Sequence, residues 1–308
     1  QTLVQLLCTL IQQSDGRSYS MAISLGGGSA SAINEKKEFN SNANLITLDD
    51  GRVYLKGGVT ETDTTTYPDA TSELAYSGVS FSVSSQTTNA RGITWNGSHF
   101  FVLDQSANKV YKYTAAGVYT GTEYALSQSN TPNGITWDGT YFWVVTIGND
   151  AVYKYNASFV YQNVTFSLAA TNQLDPTGIV WDGTYFWVIG RNPVAAHKYN
   201  ASGVYQNVSF NPSSQEGNPT DIAWDGTHLW IIGYTNDTLF KYTTAGVYTG
   251  TSISAASQET NPRGLTFAGS DLWVTGLTAN SAFKYAPQIG VDSQGGIADG
   301  NQNYIRIK

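Results

Sequence analysis

A short phrase ending in an aromatic residue recurs five times along the chain: Gly92-Ile93-Thr94-Trp95, Gly134-Ile135-Thr136-Trp137, Gly178-Ile179-Val180-Trp181, Asp221-Ile222-Ala223-Trp224 and Gly264-Leu265-Thr266-Phe267. The steps are 42, 44, 43 and 43 residues. A period of that length with several short strands per unit is that of a β-propeller blade; leucine-rich and helical repeats differ in length and pattern. In four units the first strand ends at Trp and is followed by Asn96-Gly97, Asp138-Gly139, Asp182-Gly183 or Asp225-Gly226. Such pairs are the strongest short hairpin signal, because both residues tolerate positive φ. A second strand follows (Tyr141-Phe142-Trp143-Val144, Leu229-Trp230-Ile231-Ile232), then a Lys-Tyr strand (Val152-Tyr153-Lys154-Tyr155, Phe240-Lys241-Tyr242) and an outer strand beginning Gly-Val-Tyr.

The fifth unit runs from Tyr285 into Ala286-Pro287-Gln288 and lacks its outer strand, whereas Tyr76 to Gln86, ahead of the first unit, matches the outer strand and exit of the fourth. Ring closure by this early strand removes two open sheet edges. The expected architecture is therefore all-β: a five-bladed β-propeller of four-stranded blades over residues 71–288, closed by an N-terminal strand. Residues 1–70 form a small attachment region, with a short helix, the connector Gly26-Gly27-Gly28-Ser29 and a hairpin about Asp50-Gly51. Residues 289–308 form a tail ending in a strand, which needs an edge to pair with, such as that of the hairpin.

Composition narrows the function classes. Only 13% of residues are charged and the formal net charge is -7, with no Lys/Arg cluster, so nucleic acid is not an expected partner. One cysteine, Cys8, cannot form an internal disulfide framework, and with the scattered His99, His197 and His228 it cannot build a common zinc site; no metal and no cofactor is expected. The opening Leu3 to Ile11 is too short to span a membrane. As a helix it carries a narrow apolar stripe of Leu3, Leu6, Leu7, Leu10 and Ile11 that needs a partner, which predicts docking or self-association, with a trimer as the natural form for a fibre component; a signal-peptide remnant and simple packing on the propeller are the alternatives.

Leu45 to Ala70, with its Asp-Gly hairpin, Leu55-Lys56-Gly57-Gly58 and Thr66-Tyr67-Pro68-Asp69, together with the closing Tyr304-Ile305-Arg306-Ile307-Lys308, resembles the attachment and tail segments of bacteriophage tail-fibre and virion appendage proteins. The Trp-Asp-Gly blades are similar to extracellular propellers, including five-bladed lectins and plant-type glutaminyl cyclases. The virion resemblance implies an extracellular protein on a virion surface, mounted as an oligomer on other appendage subunits through residues 1–70, and recognising a host-surface glycan or receptor.

A propeller presents two loop faces, and its function must be argued from a site on one of them. On the face of the inter-blade connections, residue type changes from unit to unit and Arg91, Asn133, Arg191, Tyr234 and Arg263 gather. Arginine forks and amides bind sugar hydroxyls or carboxylates directionally, and a tyrosine ring can cover an apolar sugar face, so an acidic glycan is the expected ligand. The opposite face, with His99, Tyr141, Tyr185 and His228 after the turns, is the alternative. Asp138, Asp182 and Asp225 are expected as turn formers, and Trp143, Trp187, Trp230 and Trp273 as core residues. Asp221, which stands where the other four units have glycine, is expected as a solvated or hydrogen-bonded aspartate near the channel mouth. The chain offers no close carboxylate pair and no nucleophile with its base, so non-enzymatic recognition is the leading function. A secreted propeller enzyme acting on a small substrate at the channel mouth, and a structural virion decoration protein, are the alternatives. Of six Asn-x-Ser/Thr sequons, at Asn96, Asn156, Asn163, Asn200, Asn207 and Asn236, several recur at the same place in the repeat and follow from turn chemistry, so glycosylation is an expectation only in a eukaryotic cell.

Overall fold

The computed structural model describes residues 74–287 other than Ser129, together with short strands at Asn44–Thr47, Val53–Lys56, Gly290–Val291, Gly296–Ala298 and Tyr304–Arg306. The stripe Leu3, Leu6, Leu7, Leu10 and Ile11 and the Gly-rich connector lie outside the described residues. The chain divides into two units, Leu74–Pro287 and the segments on either side of it.

Five four-stranded antiparallel sheets make up Leu74–Pro287. Blade 1 runs from its inner strand Ala90–Trp95 through His99–Asp104 and Lys109–Thr114 to the outer Tyr119–Ala125. Blade 2 has Pro132–Trp137, Phe142–Thr146, Ala151–Tyr155 and Tyr161–Ser167; blade 3 has Pro176–Trp181, Tyr185–Arg191, Val194–Asn200 and Tyr205–Phe210. Blade 4 has Pro219–Trp224, Leu229–Gly233, Thr238–Tyr242 and Tyr248–Ser254, and blade 5 has Pro262–Ala268, Asp271–Gly276, Ser281–Pro287 and, from the start of the ring, Leu74–Ser82. Successive inner strands touch, and Pro262–Ala268 returns to Ala90–Trp95. The closing strand pairs along its whole length, from Ser281↔Ser82 to Pro287↔Leu74. Among the described residues the one helical element is a 3-10 turn at Ala169–Thr171.

The first-to-second-strand turns differ from the sequence expectation in one respect. Only the glycine of each pair has positive φ (Gly97 +94°, Gly139 +98°, Gly183 +95°, Gly226 +95°), which makes it the first central residue of a tight turn. The preceding Asn or Asp is instead a side-chain acceptor. Asp182 Oδ1 receives the N–H groups of Thr184 (2.9 Å) and Tyr185 (2.7 Å), while its Oδ2 receives the indole N–H of Trp187 (2.9 Å). Asp138 with Trp143 and Asp225 with Trp230 repeat this clasp at 2.6 and 2.8 Å. Burial pushes the Asp225 carboxyl up, but the Trp230 indole, two backbone amides and Lys241 outweigh it and leave the group below the usual range. Asp182→Ala should therefore lower unfolding free energy by about 1–3 kcal/mol, since it leaves a buried indole N–H unpaired, and denaturant melting of the full chain checks this.

Second strands are apolar on both faces because each is covered by a neighbouring blade on either side; Trp143, Trp187, Trp230 and Trp273 are buried as expected. Outer strands of one blade reach the next blade's last turn, where a Phe lies on a glycine that has no room for a Cβ: Phe81 on Gly117, Phe166 on Gly203, Phe210 on Gly246. Between blades 1 and 2 the partners are exchanged. Phe159 takes the turn position at φ +56° and stacks on Tyr124 of the outer strand at 4.7 Å.

Outside the ring, Asn44–Thr47 pairs with Val53–Lys56 as the expected hairpin. The final strand Tyr304–Arg306 pairs with Gly296–Ala298, which also pairs with Gly290–Val291, so the tail satisfies its own edge and does not use the hairpin.

Candidate functional site

Every inner strand carries a β-bulge at its start: pairing with the second strand slips between Ala90 and Gly92, Pro132 and Gly134, Pro176 and Gly178, Pro219 and Asp221, and Pro262 and Gly264. The extra residue is Arg91, Asn133, Thr177, Thr220 or Arg263. A bulge leaves its extra residue unpaired and re-aims its side chain, so the same backbone irregularity presents two arginines, two threonines and an asparagine around one end of the channel. Arg191 joins them because in blade 3 only Asn192 and Pro193 separate the second and third strands, whose last pair is Arg191↔Val194.

The side chains at this mouth fall into two groups. Asn133, Thr177 and Thr220 are buried and committed. Thr177 Oγ1 donates to the Ile189 carbonyl (3.3 Å), Thr220 Oγ1 lies 3.0 Å from the Pro262 carbonyl, and Asn133 is held between Gln105 (3.2 Å) and the Pro176 carbonyl (3.4 Å). Asn133 is thus floor, not a free ligand contact. The three arginines are only partly covered: burial and then the Arg191 charge lower Arg91, while burial and then the Arg91 and Arg191 charges lower Arg263 to about 10, against a smaller opposing pull from Tyr234 and Glu259. Arg191 is neutralised by Asp175, with Nε 2.9 Å from Oδ2 and Nη2 donating to Oδ1 at 3.1 Å. Arg91 donates its Nε to the neutral Asn89 (2.9 Å), and Arg263 lies over the Tyr234 ring at 4.6 Å. Tyr234 is itself fixed by donating its hydroxyl to Asn218 (3.3 Å). Arg91 and Arg263 have no carboxylate in ion-pair contact among the described residues.

Of the residues expected to meet a sugar, Tyr234 has one ring face covered by Arg263, which leaves the other face for stacking. Three supporting residues were not picked out from sequence: Asn89, Asp175 and Asn218. They share one repeat position, immediately before the inner strand, and that recurrence is the signal that could have found them.

On the opposite face His99, Tyr141, Tyr185 and His228 stand one per blade and are engaged within their own blades. Lys154 Nζ covers the Tyr141 ring at 3.7 Å and Lys198 the Tyr185 ring at 3.8 Å. His99 is paired with Ser98 at 2.9 Å, and His228 Nδ1 lies 3.8 Å from Asp225. At that end lies a cavity of about 100 Å³ whose lining includes Trp95, Trp137, Trp181, Trp224 and Phe267.

Asp221 is 1% exposed, so of the two states expected for it, solvated or hydrogen-bonded, it takes the hydrogen-bonded one. Its Oδ1 accepts the Ile222 amide at 2.9 Å, its Oδ2 accepts the Leu265 amide at 2.7 Å, and the Ile179 amide supplies a third bond. Burial drives its pKa well above the ordinary value, while those three amides pull it back.

No protein-family model and no curated protein matches the chain. Among solved structures, the glutaminyl cyclase of Myxococcus xanthus is similar over 67% of this chain and 93% of its own, at 13% identity and a TM-score of 0.54. A virginiamycin B lyase from Staphylococcus aureus, solved with quinupristin, is similar over 82% and 90% at 15% identity and a TM-score of 0.43, and a nidogen/laminin complex over 63% and 74% at 15% identity and 0.47. At these identities the likeness is one of fold, and the chain is a five-bladed β-propeller.

Proposed function

We propose that the ring is a non-enzymatic recognition module that binds an acidic glycan at the arginine mouth, on an extracellular appendage of the tail-fibre or virion type. The observation carrying this reading is the pair Arg91 and Arg263. Both guanidinium groups are partly desolvated, the Arg91 charge disfavours that of Arg263, and their direct partners are a neutral amide and an aromatic ring, with the Glu259 carboxylate offsetting only part of the cost. That arrangement raises the free energy of the empty site and is relieved by a bound anion. A carboxylate-bearing sugar supplies both the charge and hydroxyls for the surrounding amides.

Mounting is supported by the path of the chain. Leu74 and Pro287 face each other across the last pair of blade 5, at the blade end opposite the arginine mouth, so the ring's two ends leave from that end of the blade. Single-sugar contacts are weak, and several copies on one appendage would raise avidity through effective concentration. A catalytic role lacks comparable support, because both oxygens of the carboxylate in the channel, Asp221, are occupied by backbone amides.

A glycan array probed with the full chain should select uronic or sialic acid termini over their neutral counterparts, with binding that weakens as salt is raised. Arg91→Ala and Arg263→Ala should each cost about 1–3 kcal/mol of binding, measured by calorimetry on the selected sugar. Binding that survives both changes but is lost on Tyr141→Ala and Tyr185→Ala would place the ligand on the other face.

A further inference from the structure

The first and second strands of all five blades pair in one register beyond the bulge: Ile93↔Val102, Ile135↔Val144, Ile179↔Val188, Ile222↔Ile231 and Leu265↔Val274. In blade 4 the Ile222 amide points away from its sheet, since its acceptor is a carboxylate in the channel, and the Ile179 and Leu265 amides reach the same carboxylate. Equal register gives Ile93 and Ile135 the same direction. Five backbone N–H groups thus converge on the channel at one level, a concave ring of partial positive charge of the kind that holds anions elsewhere in proteins. The residue before each of these amides is glycine in four blades and Asp221 in the fifth. The glycines leave the ring unobstructed; a Cβ on Gly178 would coincide with the Asp221 Oδ1 itself.

A second, independent feature lies on the side that Asp221 does not reach. Thr275 Oγ1 is fully buried and has no hydrogen-bond partner among the described residues, and it sits 2.6 Å from where a Gly264 Cβ would be, a point 2.9 Å from the Ile93 nitrogen. The matching positions in the other blades are Leu103, Val145, Ile189 and Ile232, so this hydroxyl is a single polar insertion beside the amide ring.

We propose that the five inner-strand amides form an anion-binding ring in the channel, that the Asp221 carboxylate is its built-in occupant, and that a small free carboxylate takes the same place when this side chain is removed. The occupant closes the channel between the arginine mouth and the cavity at the tryptophan end, and bonds blades 3, 4 and 5 to one another.

The test is thermal melting of the full-length Asp221→Gly variant, which makes the fifth blade match the other four, with sodium formate as probe and formamide as its neutral counterpart. The melting temperature should fall by roughly 5 °C or more and be restored saturably by formate at millimolar concentration. Formamide should not restore it, and the wild-type chain should show no saturable response. Adding Thr275→Val should weaken the formate response several-fold. Unchanged melting of Asp221→Gly, or a loss that formate and formamide restore equally, would overturn the proposal. Asp221→Asn covers the case in which the glycine variant does not fold. Its amide turns an N–H toward the ring, so it should melt below wild type at neutral pH, and melting at or above wild type would also overturn the proposal.

Discussion

Deletion of residues 71–88 should yield a chain that aggregates and has no cooperative melting transition. The deleted stretch holds Leu74–Ser82, the outer strand of blade 5, and without it the edge of Ser281–Pro287 is left open, with the unpaired N–H and C=O groups that template association. The strand is also a wedge between the last and first blades. Phe81 lies 5.3 to 5.5 Å from the rings of Tyr113, Trp273 and Phe100, and Val83 is wholly buried, so the deletion opens the blade 5 to blade 1 core along with the edge. Phe81→Ala is the graded form of the same experiment, with an expected loss of about 3–5 kcal/mol. Size-exclusion chromatography and calorimetric melting of both variants check the prediction, and a soluble monomer of the deletion variant with unchanged melting would refute closure by this strand.

That closure could be seen in the sequence because a missing outer strand after Tyr285 and a surplus one before the first repeat are both visible against a 43-residue period. Positions that repeat are legible for this reason; their departures from the repeat are what sequence alone explains poorly. The gathering of Arg91, Arg191 and Arg263 followed from the order of strands within a blade, which fixes the end of the channel each loop occupies. Which arginines are free did not follow. The neutralisation of Arg191 by Asp175 and the covering of Tyr234 by Arg263 depend on side-chain contacts between residues 16 and 29 positions apart. The bulges that aim these residues are likewise silent, since Pro or Ala followed by one variable residue before Gly carries no bulge signature of its own. Asp221 shows the same limit in another form. Its substitution for glycine was plain, but a lone aspartate in a strand is ordinarily solvated, and only three amides from three blades meeting at one point make burial tolerable.

The glycines around that point should prove as demanding as the aspartate. Gly178→Ala should destabilise the ring by about 3 kcal/mol or more, at the upper end of what an added methyl group costs in a packed core. The new Cβ would overlap the Asp221 carboxylate and lie 2.6 Å from the Asp221 Cα and 3.0 Å from the Ile222 nitrogen, so the contact is with backbone that cannot rotate away. Backbone strain is not the cause, since Gly178 is absent from the positive-φ glycines and alanine could adopt its conformation. Gly217 serves as the control: it too has no positive φ, and a Cβ there meets nothing within 4 Å, so Gly217→Ala should melt close to wild type. Combining Gly178→Ala with Asp221→Gly should recover only part of the loss, because the carboxylate overlap disappears while the Cα and amide contacts stay. Urea denaturation of the four chains measures each step. Full recovery in the double variant would mean that the carboxylate alone requires the glycine, and no recovery would mean that the approach of blade 3 to blade 4 sets the limit by itself.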